Sequence, residues 1–195
     1  MSDIAILKEM LLRSATVPLE PDRYDKGMMV RLCEPKSTDH TGYSVEIRGL
    51  PNQEDCVVIK ADEFPPTLKF FQGTKGERKR ADFIIVANNN NKNVIICIEL
   101  KAEKQTKPPS EIIQQLKGAQ CVIGYCQQIA KHFWGQAQFL EGYEYRFVTM
   151  RDISISKKPS FSRVNHTVSH NTPENMLKID SPYNLYLKQL ISGSK

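Results

Sequence analysis

RADFIIVANNNNKNVIICIELKAEK, residues 80–104, decides the fold. Two runs rich in Ile and Val flank a tract of asparagines at 88–91. β-branched residues favour strands, and asparagine tolerates the backbone angles of a tight turn. The stretch therefore predicts a β-hairpin, with the asparagine tract as its turn rather than as a prion-like segment. Both runs are almost continuously apolar, so their sheet is expected to be covered on both faces. Pairing about the turn sets Val86 opposite Ile95, Ile84 opposite Cys97 and Asp82 opposite Glu99. Glu99 and Lys101 are two apart on one strand and so share a face. A slip of one residue would scatter this cluster.

Outward from the hairpin, Pro108-Pro109 and Ser110 start a helix running to about His132, with Ser110 as its expected N-cap. Ile112, Leu116, Ala119, Ile123, Cys126 and Ala130 fall near one face of it. Residues 143–156 alternate and read as a strand or two, and 157–175, rich in Ser, Asn, Pro and His, as a loop. Residues 184–191 read as a last short helix. Upstream, 27–33, 43–50 and 55–62 read as strands, 2–14 as an amphipathic helix and 67–72 as a short helix or strand. This order predicts an α/β (α+β) domain with a mixed central sheet flanked by helices. One domain over 1–195 is expected, with its core at about 43–156, an N-terminal extension at 1–42 and a C-terminal tail at 157–195.

Composition narrows the class. The chain is 40% hydrophobic and 25% charged, ordinary values for a globular protein. A net charge of +5 and a pI near 8.9 suit an enzyme that meets a polyanion in one groove, and fall short of a histone-like binder. No apolar run approaches the ~18 residues of a membrane span, and acidic Asp3 precedes the N-terminal apolar run, so neither membrane insertion nor a secretory signal is expected. Five cysteines without a CxxC pair suggest free thiols in a reducing cytoplasm and no zinc site.

The chemistry is concentrated at one end of the hairpin. Two carboxylates that close repel one another, and each raises the other's pKa. A hard divalent cation with oxygen ligands offsets the repulsion, and Mg²⁺ is usually held by one or two carboxylates plus water and substrate phosphate. Asp82 and Glu99 are the expected ligands, with the Leu100 carbonyl between Glu99 and Lys101 as a further one. Lys101 is placed to orient or deprotonate an attacking water, or to stabilise charge on a phosphate.

RADFIIV followed by IELK resembles the PD-(D/E)xK nuclease superfamily, the restriction-endonuclease-like fold. The resemblance covers roughly residues 55–150. By position Asp82 matches the first acid, Glu99 the second and Lys101 the lysine; Ala81 stands where the family name has proline. It implies a Mg²⁺-dependent phosphodiesterase, with Mn²⁺ able to substitute, acting on DNA rather than RNA and more as an endonuclease than an exonuclease. It also implies a role in restriction, phage defence or repair, and a homodimer where both strands are cut. The family often adds an upstream Glu, for which Glu9, Glu46 and Glu63 are candidates, and a polar residue on the following helix, for which Gln114, Gln115 and Gln120 are candidates. Glu63 and Gln115 are the accessory residues to check first.

The basic run Lys75, Lys79 and Arg80 is expected to hold nucleic-acid backbone beside the acids. His132 at a helix end has a simple dipole explanation. The competing class is a catalytically inactive nucleic-acid or protein-binding module on the same fold. Such a module has no need of paired acids, so the retention of Asp82, Glu99 and Lys101 favours the enzyme.

Overall fold

A computed structural model describes residues 1–34, 43–64, 70–89, 92–101, 108–152 and 169–192. Half of the expected 67–72 element, the middle of the asparagine turn and most of the 157–175 loop lie outside these residues. Among the described residues three helices, α1 (Asp3–Met10), α2 (Pro109–Phe133) and α3 (Leu187–Ile191), flank two mixed sheets. The first sheet has the order β1-β5-β6-β7-β8-β9, made of Thr16–Val17, Cys56–Lys60, Phe83–Asn89, Lys92–Lys101, Glu144–Arg151 and Leu177–Asp180. The second has the order β10-β4-β3-β2, made of Asn184–Tyr186, Tyr43–Leu50, Met28–Glu34 and Glu20–Pro21. The class is mixed α/β.

The β6–β7 hairpin is antiparallel and pairs Val86 with Ile95 and Ile84 with Cys97, the register that the asparagine turn predicts. The next strand, β8, runs parallel to β7, with Glu99 beside Thr149 and Lys101 beside Arg151. A parallel neighbour needs a crossover, and α2 supplies it. This helix starts at Pro109 with Pro108 as its cap residue and no side-chain cap bond, so Ser110 is not the N-cap. Proline at the first helical position lacks only an N–H that would have no helical partner, and its ring already sets the helical φ.

Alternation sorts the first sheet's residues into two cores. Ile84, Val86, Ile95, Cys97 and Phe147 face α1 and α2, meeting Ile4, Leu7, Leu116, Ala119 and Ile123. Ile85, Ile96, Ile98, Leu100 and Val148 face the second sheet and α3, meeting Leu32, Val45, Ile47, Leu185 and Leu190. Each such side chain taken fully out of water contributes about 1.5–3 kcal/mol. Residues before 43 and beyond 156 thus enter both cores: Ile4, Ile6 and Leu7 are fully buried, as are Leu185 and Leu190. The expected helix at 184–191 is half strand, because Asn184–Tyr186 pair in parallel with Glu46–Arg48 before α3 begins. All five cysteines are free; Cys56, Cys97 and Cys126 are buried, and Cys33 and Cys121 are exposed.

One contact fixes where α2 lies. At Gly118 the helix presses on the backbone just before β6, so closely that a Cβ there would stand 1.8 Å from the Lys79 carbonyl oxygen. The side-chain amide of Gln115, one turn earlier, donates to the Arg80 carbonyl at 3.5 Å. The first turns of α2 are thereby held over the chain leading into Asp82.

Candidate active site

Asp82 immediately precedes β6, and Glu99 and Lys101 close β7. The Ala61 N–H donates to the Asp82 carbonyl at 2.8 Å, tying that residue to the 3-10 turn Ala61–Glu63. The Asp82 side chain points across the hairpin: its Oδ2 accepts the Leu100 N–H at 2.6 Å. In a strand the N–H and C=O of one residue point to the same side. The Leu100 carbonyl is therefore directed toward Asp82 too, past the end of the β6–β7 ladder. Glu99 is fully buried, and its Oε1 accepts from the Lys101 ammonium. Its Oε2 is buried with no hydrogen-bond partner among the described residues. A buried carboxylate oxygen left unpaired is costly, and its presence calls for a compensating cation or proton.

The electrostatics follow from this burial. Desolvation pushes the Glu99 carboxyl up to about 8, the nearby charge of Asp82 adds to the rise, and Lys101 opposes it. Asp82 is raised to about 6, first by burial; the Leu100 N–H and Lys101 oppose the shift, while Glu34 and Asp62 add to it. Burial alone would lower the Lys101 ammonium, but the charge and hydrogen bond of Glu99 outweigh it and the net shift is upward. The site is a pair of buried acids, both raised and Glu99 the more so, with a protonated amine beside them.

Two neighbours escaped the sequence reading. Glu34, at the end of β3 in the other sheet, reaches Asp82, Glu99 and Lys101 with its charge. Nothing in the sequence brings residue 34 near residue 99; the packing of one sheet on the other does. Thr149 is fully buried beside Glu99 on the parallel strand, and its hydroxyl oxygen has no partner among the described residues. A threonine within the apolar run Phe147–Met150 was a readable signal.

The remaining candidates are dispersed. Gln115 stands over the site's approach, its Oε1 buried and without a partner among the described residues. Glu63 is exposed and lines a groove with Met10, Leu11 and Tyr125; the turn residue whose charge reaches Asp82 is Asp62. Glu9 is exposed on α1, and Glu46 is committed to Arg31 and Arg48 at 2.7 Å each. In the basic run, Lys79 pairs with Glu111 at 3.4 Å and Arg80 lies 5.4 Å over the Phe64 ring. Lys75 and Arg80 line a groove along α2 whose lining does not include Asp82, Glu99 or Lys101.

Among the described residues no three His, Cys, Asp or Glu side chains converge to hold a metal. The charge of Asp82 reaches Glu99, and the Leu100 carbonyl is directed to the Asp82 side of the strand. No helix of the described residues is long and apolar enough to cross a membrane. No protein-family model, curated protein or solved structure matches the chain.

Proposed function

We propose that the chain is a metal-dependent nuclease of the PD-(D/E)xK type, with a restriction-endonuclease-like core, acting on DNA in the cytoplasm. The observation that carries this reading is the buried Glu99 Oε2, unpaired among the described residues and set beside Asp82 at the mouth of a hairpin. A structural ion pair needs one acid per base. Here Lys101 takes one oxygen of Glu99, while Asp82 adds a second acid whose charge raises that of Glu99. The donor set, two carboxylates and a backbone carbonyl, is the hard-oxygen chemistry that suits Mg²⁺ or Mn²⁺.

In this reading Asp82, Glu99 and the Leu100 carbonyl hold the ion. The ion, when bound, supplies Lewis-acid polarisation of the scissile phosphate and lowers the pKa of a coordinated water. The protein's own residues do the rest. The Leu100 N–H fixes the Asp82 carboxylate by its 2.6 Å bond. Lys101, held protonated by Glu99, lends positive charge to the phosphate as negative charge builds there. Gln115, whose amide donates to the Arg80 carbonyl, steadies the chain leading into Asp82.

The test is incubation of the purified chain with plasmid DNA and with RNA, in Mg²⁺, in Mn²⁺ and in EDTA. Cleavage that requires the metal, and that disappears in Asp82→Asn, is the expected result. A parent protein that neither cuts either polymer nor binds Mg²⁺ by calorimetry would replace the enzyme with a binding module on the same fold.

A further inference from the structure

A groove of about 340 Å³ runs along α2 beside the proposed active site. Its lining includes three aromatic rings, Phe64, Phe71 and Tyr125, and three cations, Lys75, Arg80 and Lys117. The rings are arranged for use. Tyr125 meets Phe64 edge to face at 5.4 Å, and Arg80 lies 5.4 Å over the other ring of that pair. Tyr125 remains 55% exposed and Phe71 43% exposed, unusual for aromatics lining one cleft.

The loop carrying Phe71 and Lys75 is preformed by its own bonds. The Glu77 carboxylate accepts the amides of Gly73 at 2.7 Å and Lys75 at 2.8 Å, and the Arg78 side chain donates to the Phe71 carbonyl at 2.6 Å. Among the described residues Glu77 is the one acid lining the groove, and both its oxygens are thus engaged. Among the described residues Lys117 pairs with Glu174, both more than half exposed, a pair that water and salt readily exchange.

Aromatic faces ringed by cations match one ligand chemistry closely. Unpaired bases stack on aromatic side chains, while Lys and Arg track the adjoining phosphates. Protein-binding surfaces are instead depleted in Lys. Paired bases keep their faces inside the duplex and cannot use such rings. We propose that this groove seats an unpaired base of a single-stranded nucleic acid on Tyr125 and Phe71, with Lys75 and Lys117 on its phosphates. The assignment rests on the nuclease reading and names its substrate class: a strand with a single-stranded segment at or next to the scissile bond. Arg80 lines the groove and precedes Asp82 by two residues, about 7 Å of extended chain. A base in the groove therefore leaves its neighbouring phosphate within reach of the acids.

The test measures binding of a fluorescein-labelled 12-nucleotide single strand, and of the matching duplex, to the full chain in EDTA by anisotropy. Tyr125→Ala should weaken single-strand binding about tenfold, the scale of one lost base stack, and duplex binding by less. Tyr125→Trp should restore the affinity. Lys75→Ala should lower the slope of log affinity against log salt by about one. A parent that does not bind the single strand, or a Tyr125→Ala protein that binds it as well as the parent, overturns the proposal. So does a concentration-dependent dimer, seen by sedimentation, that Tyr125→Ala dissolves without any change in single-strand binding; the groove is then a self-association surface. Plasmid cleavage in Mg²⁺, run alongside, separates the two readings. A parent that cuts plasmid while Tyr125 is silent in the binding assay loses the groove and keeps the nuclease.

Discussion

Glu99→Gln gives the sharpest test of the site, because the structure predicts that damaging it stabilises the fold. Glu99 is fully buried, and its carboxyl is raised from an ordinary 4.5 to about 8. At pH 7 the folded chain holds this proton, whereas the unfolded chain releases it. Holding it across 2.5 pH units costs about 3 kcal/mol, at about 1.36 kcal/mol per unit. The folded pKa is raised, so the parent should lose stability as pH climbs from about 4.5 to about 8, the reverse of an ion-paired carboxylate. Glutamine has the same size and nothing to titrate. At pH 7 it replaces one neutral acceptor for Lys101 by another, so little is lost in exchange. In EDTA the variant should match the parent near pH 5. At pH 7 it should exceed the parent by about 3 kcal/mol, or about 6–12 °C in Tm for a chain of this size. Saturating Mg²⁺ should close most of this gap, since it stabilises the parent by about 2.7 kcal/mol at a hundred times its Kd and leaves the variant unmoved. Differential scanning calorimetry over pH 5–8, with EDTA or Mg²⁺, reads all of this. A parent whose Tm is flat across that range, or a variant no more stable at pH 7 in EDTA, would refute the burial argument.

Three further outcomes are expected. Lys101→Ala should reduce cleavage at least about a hundredfold while calorimetry shows Mg²⁺ binding kept or tightened, because a cation beside the acids is gone. Gly118→Ala, which in an open helix gains about 1 kcal/mol, should here cost about 2–3 kcal/mol in urea unfolding, because the added methyl meets the Lys79 carbonyl at 1.8 Å. Arg48→Leu should cost about 3–5 kcal/mol, since it strands the Asp22 carboxylate, whose side chain is fully buried and lies 2.9 Å from the guanidinium; adding Asp22→Asn should recover part of the loss.

The central hairpin was legible because three local signals agree there: β-branched runs, an asparagine turn and the alternation that sets Asp82 and Glu99 on one face. Local signals carry no knowledge of partners far along the chain. Strands at 27–33 and 43–50 were readable, but their assembly into a second sheet was not, since β10 at residues 184–186 joins β4 at 46–48 across more than a hundred residues. With it went Glu34, which reaches Glu99 only when the two sheets close. The N-cap was misplaced because Ser110 outweighed a proline already suited to the first helical position. The basic run was visible as charge, but its side chains are directed by the loop's own hydrogen bonds and by Phe64, neither of which a count of lysines contains.

The late arrival of β10 and α3 has a consequence during synthesis. A ribosome that has made residue 152 has made β3 through β8, yet Leu185, Leu187 and Leu190, which roof part of the core beneath Ile96, Ile98 and Val148, are still unmade. At about 5–20 residues per second that apolar surface stays uncovered for seconds. The nascent chain is in this interval a natural client for chaperones, and protease accessibility of stalled chains should drop only once residue 190 has cleared the exit.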